Sequence, residues 1–343
     1  MTGAGRYAEL SSAVRSFKAQ LIGSTEIQRL VEAGSLAETV GSLTSGKITA
    51  TNDADITAVE TFLTQNLVEI TERLTAYAPH DSRALIKLFT TKHELECIKG
   101  ILKSIAEQIA PGEAMKHIVP VGKFTEERCK ELIESRNPNR VIETLEDEAL
   151  KRFLVPKLTG EKGGIATVYA IDQYYYAKLW AASNLPDPLD AQSARGLIGG
   201  FIDRLNILLA LRARLMGLDA RATGDLLIPV NYALGHALAE LTEGANVQNM
   251  LRTLEKTPYA RDFEAPSTLD TSGSGIERTL NRSHASSCLN SFAGSPFNVG
   301  LALAFLFLKN YELLDLFAII NGKANGLTAE HISQSLILNS PPR

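Results

Sequence analysis

Apolar residues recur at intervals of three and four along most of this 343-residue chain, and the pattern is clearest between positions 56 and 77. Such spacing places the side chains on one face of an α-helix. The turn formed by Pro79, His80 and Asp81 is expected to end this helix, because proline cannot continue it. The apolar positions of the helix are Ile56, Val59, Leu63, Leu67, Ile70, Leu74 and Tyr77.

The same criterion predicts helices over the rest of the chain, separated by polar loops at 44–55, 157–164 and 258–275. Alternation with a period of two, which would indicate half-buried β-strands, is scarcely visible. The sequence therefore predicts an all-α fold. The other predicted helices cover residues 6–21, 26–43, 82–109, 125–134, 141–154, 171–182, 201–217, 231–241, 247–255, 276–292, 299–320 and 328–338.

The segment 201–217 is strongly apolar and yet contains Asp203, Asn206, Arg212 and Arg214. Its apolar stripe is broad, which is typical of a helix that packs on most of its circumference. Buried charges nearly always have partners. Arg212 and Arg214 are therefore the expected cationic partners of Asp203.

Parts of the chain repeat at a constant spacing. The segment ELIES at 131–135 recurs as ELTEG at 240–244, and TLE at 144–146 recurs at 253–255, so that both pairs are offset by 109 positions. The same step leads from Asp203 to Glu312, and a step of 107 positions backwards leads to Glu96. A polar residue follows each of these acids by three positions, at Lys99, Asn206 and Asp315. A predicted helix cap lies further along in each case, at Thr125, Asn231 and Thr328.

This period is too long for helical solenoids, whose units have about 20–50 residues. We therefore predict three similar helical bundles, at 1–122, 123–229 and 230–343, in a pseudo-threefold arrangement. Two interpretations remain open for Glu96, Asp203 and Glu312. Each acid caps or pairs within its own bundle, or the three line a shared central cavity and contact a partner.

Composition narrows the class of protein. The longest apolar run, 299–308, is about ten residues, whereas a membrane-spanning helix needs roughly 18 or more. A net charge of −4 argues against nucleic acid as the main partner. Three widely spaced cysteines indicate reduced thiols and a cytoplasmic protein, and the polar N-terminus predicts no secretory leader.

The segment GSLTSGKI at 41–48 resembles a phosphate-binding loop except at its last position. Ile48 replaces the Ser or Thr whose hydroxyl would bind Mg²⁺, and no strand is predicted before the loop. A polar connection between helices is the favoured interpretation. A nucleotide-binding enzyme that uses this loop remains an alternative.

No other pattern indicates chemistry. His284 and Cys288 lie four residues apart and could share a helix face, but two ligands do not make a zinc site. The tyrosines at 174–176 with Trp180 could stack on bases, yet without a basic groove nearby they are expected to be a packing face. We therefore predict no catalytic residue, no metal and no cofactor.

Short motifs in all three units resemble one known family. The segment 296–327 contains Glu312 and Asp315, followed by INGK at 320–323 and Gly-Leu at 326–327. The predicted unit 123–229 contributes AIDQYY at 170–175 and LIP at 227–229, and the predicted unit 1–122 contributes VPVGKF at 119–124. Together these motifs resemble the C subunit of the archaeal-type rotary ATPase, which is related to the d subunit of the vacuolar ATPase.

The resemblance implies a funnel-shaped, non-catalytic element of the central rotor stalk. Its implied partners are the membrane-embedded proteolipid ring and the central shaft subunits of D and F type, with no small-molecule substrate. It would lie at the cytoplasmic face of the membrane as a peripheral part of the complex. Candidate shaft-interface or structural positions are Glu96, Asp203, Asn206, Arg212, Glu312 and Asp315. The alternative is a cytoplasmic helical scaffold unrelated to rotary ATPases.

Overall fold

The structure, a computed structural model, describes residues 3–48, 53–158, 163–244, 246–263 and 273–338. Its α-helices, numbered in chain order, are α1 Gly3–Lys18, α2 Ser24–Glu32, α3 Leu36–Thr44, α4 Asp53–Tyr77, α5 His80–Ala106, α6 Pro111–Ala114, α7 Glu126–Glu134, α8 Pro138–Glu143, α9 Glu148–Leu154, α10 Gly163–Ala182, α11 Pro188–Leu215, α12 Ala220–Leu226, α13 Ala237–Glu243, α14 Val247–Leu254, α15 Gly273–Asn290, α16 Gly300–Ala324 and α17 Ala329–Ser335. Short 3₁₀ turns occur at Val155–Lys157, Ala260–Phe263 and Ser291–Ala293.

The predicted all-α fold is confirmed. Within the described ranges there is no β-strand, and a single isolated bridge joins Val121 to Phe124. None of the helices in these ranges is long and apolar enough to cross a membrane.

The chain divides into two compact units, each built from separate stretches of sequence. The first unit comprises Met1–Ser16, Ala78–Leu85 and Gln173–Tyr311. Its core includes an apolar cluster around α11, to which Leu211 on that helix, Leu241 of α13, Leu254 of α14 and Leu280 of α15 contribute.

The second unit comprises Phe17–Tyr77, Ile86–Asp172 and Glu312–Arg343. One of its apolar clusters joins α2 to the C-terminal part of the chain through Leu30, Ile319 and Ile332. The predicted division into three units, at 1–122, 123–229 and 230–343, therefore remains a prediction.

Three long helices end in the same way. The last residues of α5, α11 and α16 are Ala106, Leu215 and Ala324, and successive ends are 109 positions apart. A residue with positive φ follows each end at Gln108, Gly217 and Gly326, and it reverses the chain. The next residue then donates its N–H to the carbonyl five positions earlier, at 2.9 Å from Ile109, 3.0 Å from Leu218 and 2.9 Å from Leu327, which is the hydrogen bond of a Schellman motif.

A short helix follows each of these motifs, and the N-cap residues of the three short helices are again 109 positions apart. These N-cap residues are Ala110, Asp219 and Thr328. Of the caps predicted from the sequence, Thr125 and Thr328 are confirmed and Asn231 caps no helix. Only Thr328 lies at the step of 109, because Thr125 caps the later helix α7. The repeat is therefore more regular than the sequence motifs indicated.

Several predicted boundaries are wrong for local reasons. Residues 231–236, predicted to open a helix, form a loop, and α13 begins only at Ala237. The predicted helix 141–154 is interrupted, because Asp147 accepts hydrogen bonds from the N–H groups of Ala149 and Leu150 and starts α9 anew. Part of the predicted linker 258–275, at 264–272, lies outside the described residues.

Candidate functional site

Asp203 lies in the interior of the first unit and has no exposed surface. Its carboxylate accepts hydrogen bonds from the backbone N–H groups of Tyr232 at 3.0 Å and Ala233 at 2.6 Å. The hydroxyl of Tyr259 donates a third, at 2.7 Å. Asp203 thus fastens the loop after α12 to α11 and compensates buried N–H groups that would otherwise lack partners.

Asn206, one turn further along α11, holds the same loop. Its Oδ1 accepts the N–H of Ile228 at 2.8 Å, and its Nδ2 donates to the carbonyls of Ile228 and Val230. The side-chain amide therefore pairs with one donor and two acceptors of this loop, in which the N–H of Val230 also binds the carbonyl of Ile228.

Glu312 and Asp315 also accept backbone N–H groups, in the second unit, and both are buried. Glu312 accepts the N–H of Ile22 at 2.6 Å. Asp315 accepts the N–H groups of Ile337 at 2.6 Å and Leu338 at 2.9 Å. Asn206 and Asp315 each hold the residue 22 positions further on, so the repeat extends to these hydrogen bonds.

Glu96 does not share this environment. Its side chain is 49% exposed and forms an ion pair with Lys99 at 2.9 Å. Lys99 also binds Asp172, with its Nζ 2.8 Å from Oδ1. The predicted equivalence of Glu96 with the buried Asp203 and Glu312 is therefore wrong.

A constant step of 109 positions leads from Asp203 back to Glu94, and from Asn206 back to Cys97. A Cβ placed on Gly122 would lie 3.0 Å from Oε1 of Glu94, so this carboxylate lies against the loop after α6. Burial raises the pKa of Glu94, while Lys123 opposes the shift. The backbone of Val121 lies near the Cys97 sulfur and opposes the rise in the pKa of Cys97. Extending the constant step, in place of the step of 107, would have found both residues.

The expected cationic partners of Asp203 are also wrong. Arg212 points to the surface and binds Glu277, with 2.6 Å between Nη2 and Oε2. Arg214 donates to the carbonyl of Thr242 at 3.3 Å. The partners of Asp203 come instead from backbone groups and a tyrosine hydroxyl, none of which a search for opposite charges would identify.

Sequence reasoning also missed Asp190, which is buried at the start of α11. Its carboxylate accepts the hydroxyl of Tyr7 at 2.6 Å and the N–H of Val299 at 2.9 Å. Three segments that are distant in sequence meet at this residue. The sequence predicted this helix only from residue 201, whereas it begins at Pro188, and nothing local indicated these two donors.

The segment 41–48 cannot act as a phosphate-binding loop in this conformation. Thr44 is the last residue of α3, and Ser45 and Gly46 have positive φ. The N–H groups of Gly46, Lys47 and Ile48 donate to Gly41 O, Thr44 O and Thr44 Oγ1, respectively. Backbone donors that would surround a phosphate are therefore already used to end the helix.

His284 is buried and hydrogen-bonded through both ring nitrogens. Nε2 lies 3.1 Å from the carbonyl of Leu197 and must carry the proton, so Nδ1 accepts from the hydroxyl of Tyr311 at 3.0 Å. Burial, and secondly the charge of Arg204, lower the pKa of His284 from 6.5 to about 3. Within the described residues no cluster of His, Cys, Asp and Glu could hold a metal ion.

A pH dependence of stability follows from this neutral histidine. Its pKa is lower in the folded state, so the unfolded chain binds a proton below pH 6.5 that the folded chain does not. We expect the free energy of unfolding to fall between pH 6.5 and pH 4, with His284 contributing about 3 kcal/mol of the loss. Urea unfolding across this range, compared with His284→Gln, measures that contribution. If the free energy of unfolding depends on pH in the same way in the wild type and in His284→Gln, the expectation is wrong.

The aromatic run 174–176 is a packing face. Tyr175 and Tyr176 are buried, and their ring centroids lie 4.9 Å apart. The guanidinium of Arg195 covers the Trp180 ring at 3.9 Å, and Tyr232 meets that ring edge-on. These rings are thus occupied by protein groups, which leaves no free stacking platform in this part of the chain.

The buried polar side chains of the long helices bind backbone groups of loops. The protein is therefore an all-helical protein whose buried polar residues support its structure. The chain belongs to the family described as the ATP synthase (C/AC39) subunit, whose profile matches residues 10–335. It is similar to the C subunit of the A-type ATP synthase of Methanocaldococcus jannaschii, with 26% identity over 96% of this chain and 86% of the relative. It is also similar to the C subunits of the A-type ATP synthases of Methanosphaera stadtmanae (24% identity; 96% and 88% covered) and Methanosarcina mazei (23%; 98% and 94%).

Proposed function

We propose that this chain is a non-catalytic central-stalk subunit of an A/V-type rotary ATP synthase or ATPase. The observation that carries the proposal is family membership across residues 10–335, together with relatives that match over most of their length and are named as C subunits of A-type ATP synthases. In this role the protein acts as a socket at the cytoplasmic face of the membrane. It joins the proteolipid ring to the shaft subunits of D and F type.

The interior of the chain suits a subunit that transmits torque. A closely packed core resists compression, and loops that are hydrogen-bonded to buried carboxylates cannot shift without breaking those bonds. Asp203 and Asp315 each hold two consecutive backbone N–H groups. We infer that these residues stiffen the loops and do not contact the shaft directly.

The regular repeat of helix ends supports a second part of the proposal. Three similar units in a pseudo-threefold arrangement would present similar but unequal faces. Such a body joins a ring of many subunits to one asymmetric shaft without sharing the symmetry of either.

Co-purification from native membranes tests the function. A tagged copy expressed in the source cell is expected to recover proteolipid and shaft subunits, identified by mass spectrometry, while the purified chain alone neither hydrolyses ATP nor binds it in calorimetry with Mg²⁺. Recovery of none of these subunits would favour the unrelated cytoplasmic scaffold. Hydrolysis that disappears in Lys47→Ala would revive the nucleotide-binding alternative.

A further inference from the structure

Two cysteines that are 32 positions apart in sequence meet in the core of the second unit. The sulfur of Cys97 on α5 lies 3.5 Å from the sulfur of Cys129 on α7, and both side chains are buried. Both thiols are free. Helices hold both residues, so the two sulfurs are neighbours because of the fold and not through flexible loops.

Neither thiol is isolated from polar groups. The backbone of Val121 lies near Cys97, and the thiol of Cys129 donates to the carbonyl of Phe124 at 3.8 Å. The hydrogen bond from Cys97 lowers the pKa of Cys129 and raises that of Cys97 itself. Cys129 is therefore the member of the pair that ionises first, and a thiolate is the reactive form of cysteine.

Cys97 occupies a position that the other two repeats fill differently. Its counterparts at the constant step, Asn206 and Asp315, hold the following loop with a side-chain amide and a carboxylate. An amide and a carboxylate cannot be oxidised to a disulfide. Among the three equivalent positions, only that of Cys97 has a thiol, and a second thiol, that of Cys129, lies beside it.

A cavity of about 660 Å³ lies beside the pair. Its wall includes Val121, whose backbone lies near Cys97, Phe124, whose carbonyl accepts from Cys129, and Lys130, which follows Cys129. Part of this wall is a tight turn in which Gly122 has φ +59° and the N–H of Phe124 donates to the carbonyl of Val121 at 3.0 Å. Local opening of the structure beside the cavity would admit a molecule as small as hydrogen peroxide to the sulfurs.

We propose that Cys97 and Cys129 are an oxidation site at which a peroxide converts two thiols into a disulfide that joins α5 to α7. The Cys129 thiolate attacks one peroxide oxygen, the O–O bond breaks, and the leaving hydroxide takes a proton to become water. Cys97 then attacks the resulting sulfenic acid, whose S–O bond breaks and releases a second water. In total, two thiols and one hydrogen peroxide give one disulfide and two waters.

Peptide mapping of the full chain tests the proposal. The reduced chain is treated with hydrogen peroxide in native buffer, unfolded with N-ethylmaleimide to block remaining thiols, and digested with trypsin without reductant. The expected product is the peptide 93–99 linked to the peptide 129–130, which disappears after treatment with dithiothreitol. Cys288, which is buried without a second thiol beside it, is expected to be recovered with maleimide attached.

Matched variants separate the pair from general oxidation. Cys129→Ser is expected to abolish the linked peptide, whereas Cys288→Ser keeps it at the wild-type yield. Circular dichroism establishes that each variant is folded, and the wild-type result stands without either variant. The proposal is wrong if native wild-type chain yields no linked peptide, or if Cys97 and Cys129 pair with Cys288 as often as with each other.

Discussion

Replacement of Asp203 by Ala is expected to lower the free energy of unfolding by about 3–5 kcal/mol. The substitution leaves the N–H groups of Tyr232 and Ala233 and the hydroxyl of Tyr259 without their acceptor in a buried place. Each unpaired buried donor costs about 1–3 kcal/mol. Chemical denaturation of the purified chain measures the loss.

Glu96→Ala is the matched control for this experiment. Glu96 is an acid on a long helix that is half exposed and paired with Lys99, so its loss is expected to change stability by less than about 0.5 kcal/mol. A contrary result has a clear form. If Asp203→Ala unfolds like the wild type but loses affinity for shaft subunits, the carboxylate contacts the partner and the structural role is wrong.

Replacement of Gly199 by Ala is expected to lower the free energy of unfolding by about 2–3 kcal/mol. A Cβ at this position would overlap Cγ of Tyr232 and lie 2.7 Å from its Cδ2 and 2.9 Å from Cζ3 of Trp180. Tyr232 cannot move away freely, because Asp203 holds its backbone N–H and its ring packs edge-on against Trp180. Thermal and urea unfolding both report the change.

Gly196→Ala, one turn earlier on the same helix, should change stability in the opposite direction. The nearest atom to a Cβ there is the Tyr232 hydroxyl at 3.9 Å, an ordinary contact. Without a clash, alanine is favoured over glycine inside a helix by about 0.5–1 kcal/mol. Equal effects of the two substitutions would mean that Tyr232 does not pack on α11 as described.

The Gly199 and Gly196 variants distinguish local helix preference from tertiary packing on α11. Asp203 and Gly199 both act through the loop that contains Tyr232, which lies 29 positions after Asp203. Their effects are therefore expected to be less than additive, because once one contact is lost the loop no longer confines the other.

The hydrophobic pattern alone predicted the class of fold and most of the helices. The interval of three and four residues between 56 and 77 matches α4, which runs from Asp53 to Tyr77. Thr125 and Thr328 were both identified as helix caps, since a threonine before a helical run has a local chemical signature. Motifs of a few residues also indicated the family, although each motif alone is short.

The step of 109 is already present in the sequence, but the structure showed that it also holds for the first of the three long helices, α5. Sequence comparison matched Glu96 to Asp203 through a step of 107, because both are acids on apolar helices. The helix ends at Ala106, Leu215 and Ala324 establish a step of 109 and place Glu94 and Cys97 at the equivalent positions. Asparagine and cysteine are chemically different residues, so an alignment by residue type would not match Cys97 to Asn206.

The sequence by itself determined an all-α chain with a repeated polar pair on its long helices and no recognisable catalytic motif. It did so because helical periodicity and capping depend on neighbours within a few positions. Only the tertiary structure decided that Asp203 and Asp315 hold backbone loops, that Glu96 lies at the surface, and that Cys97 faces Cys129. The hydrogen bonds of Asp203 and Asp315 to these loops, and the contact between the two thiols, join groups that are 22 to 32 positions apart. Patterns within a few positions of the sequence cannot identify partners at that distance.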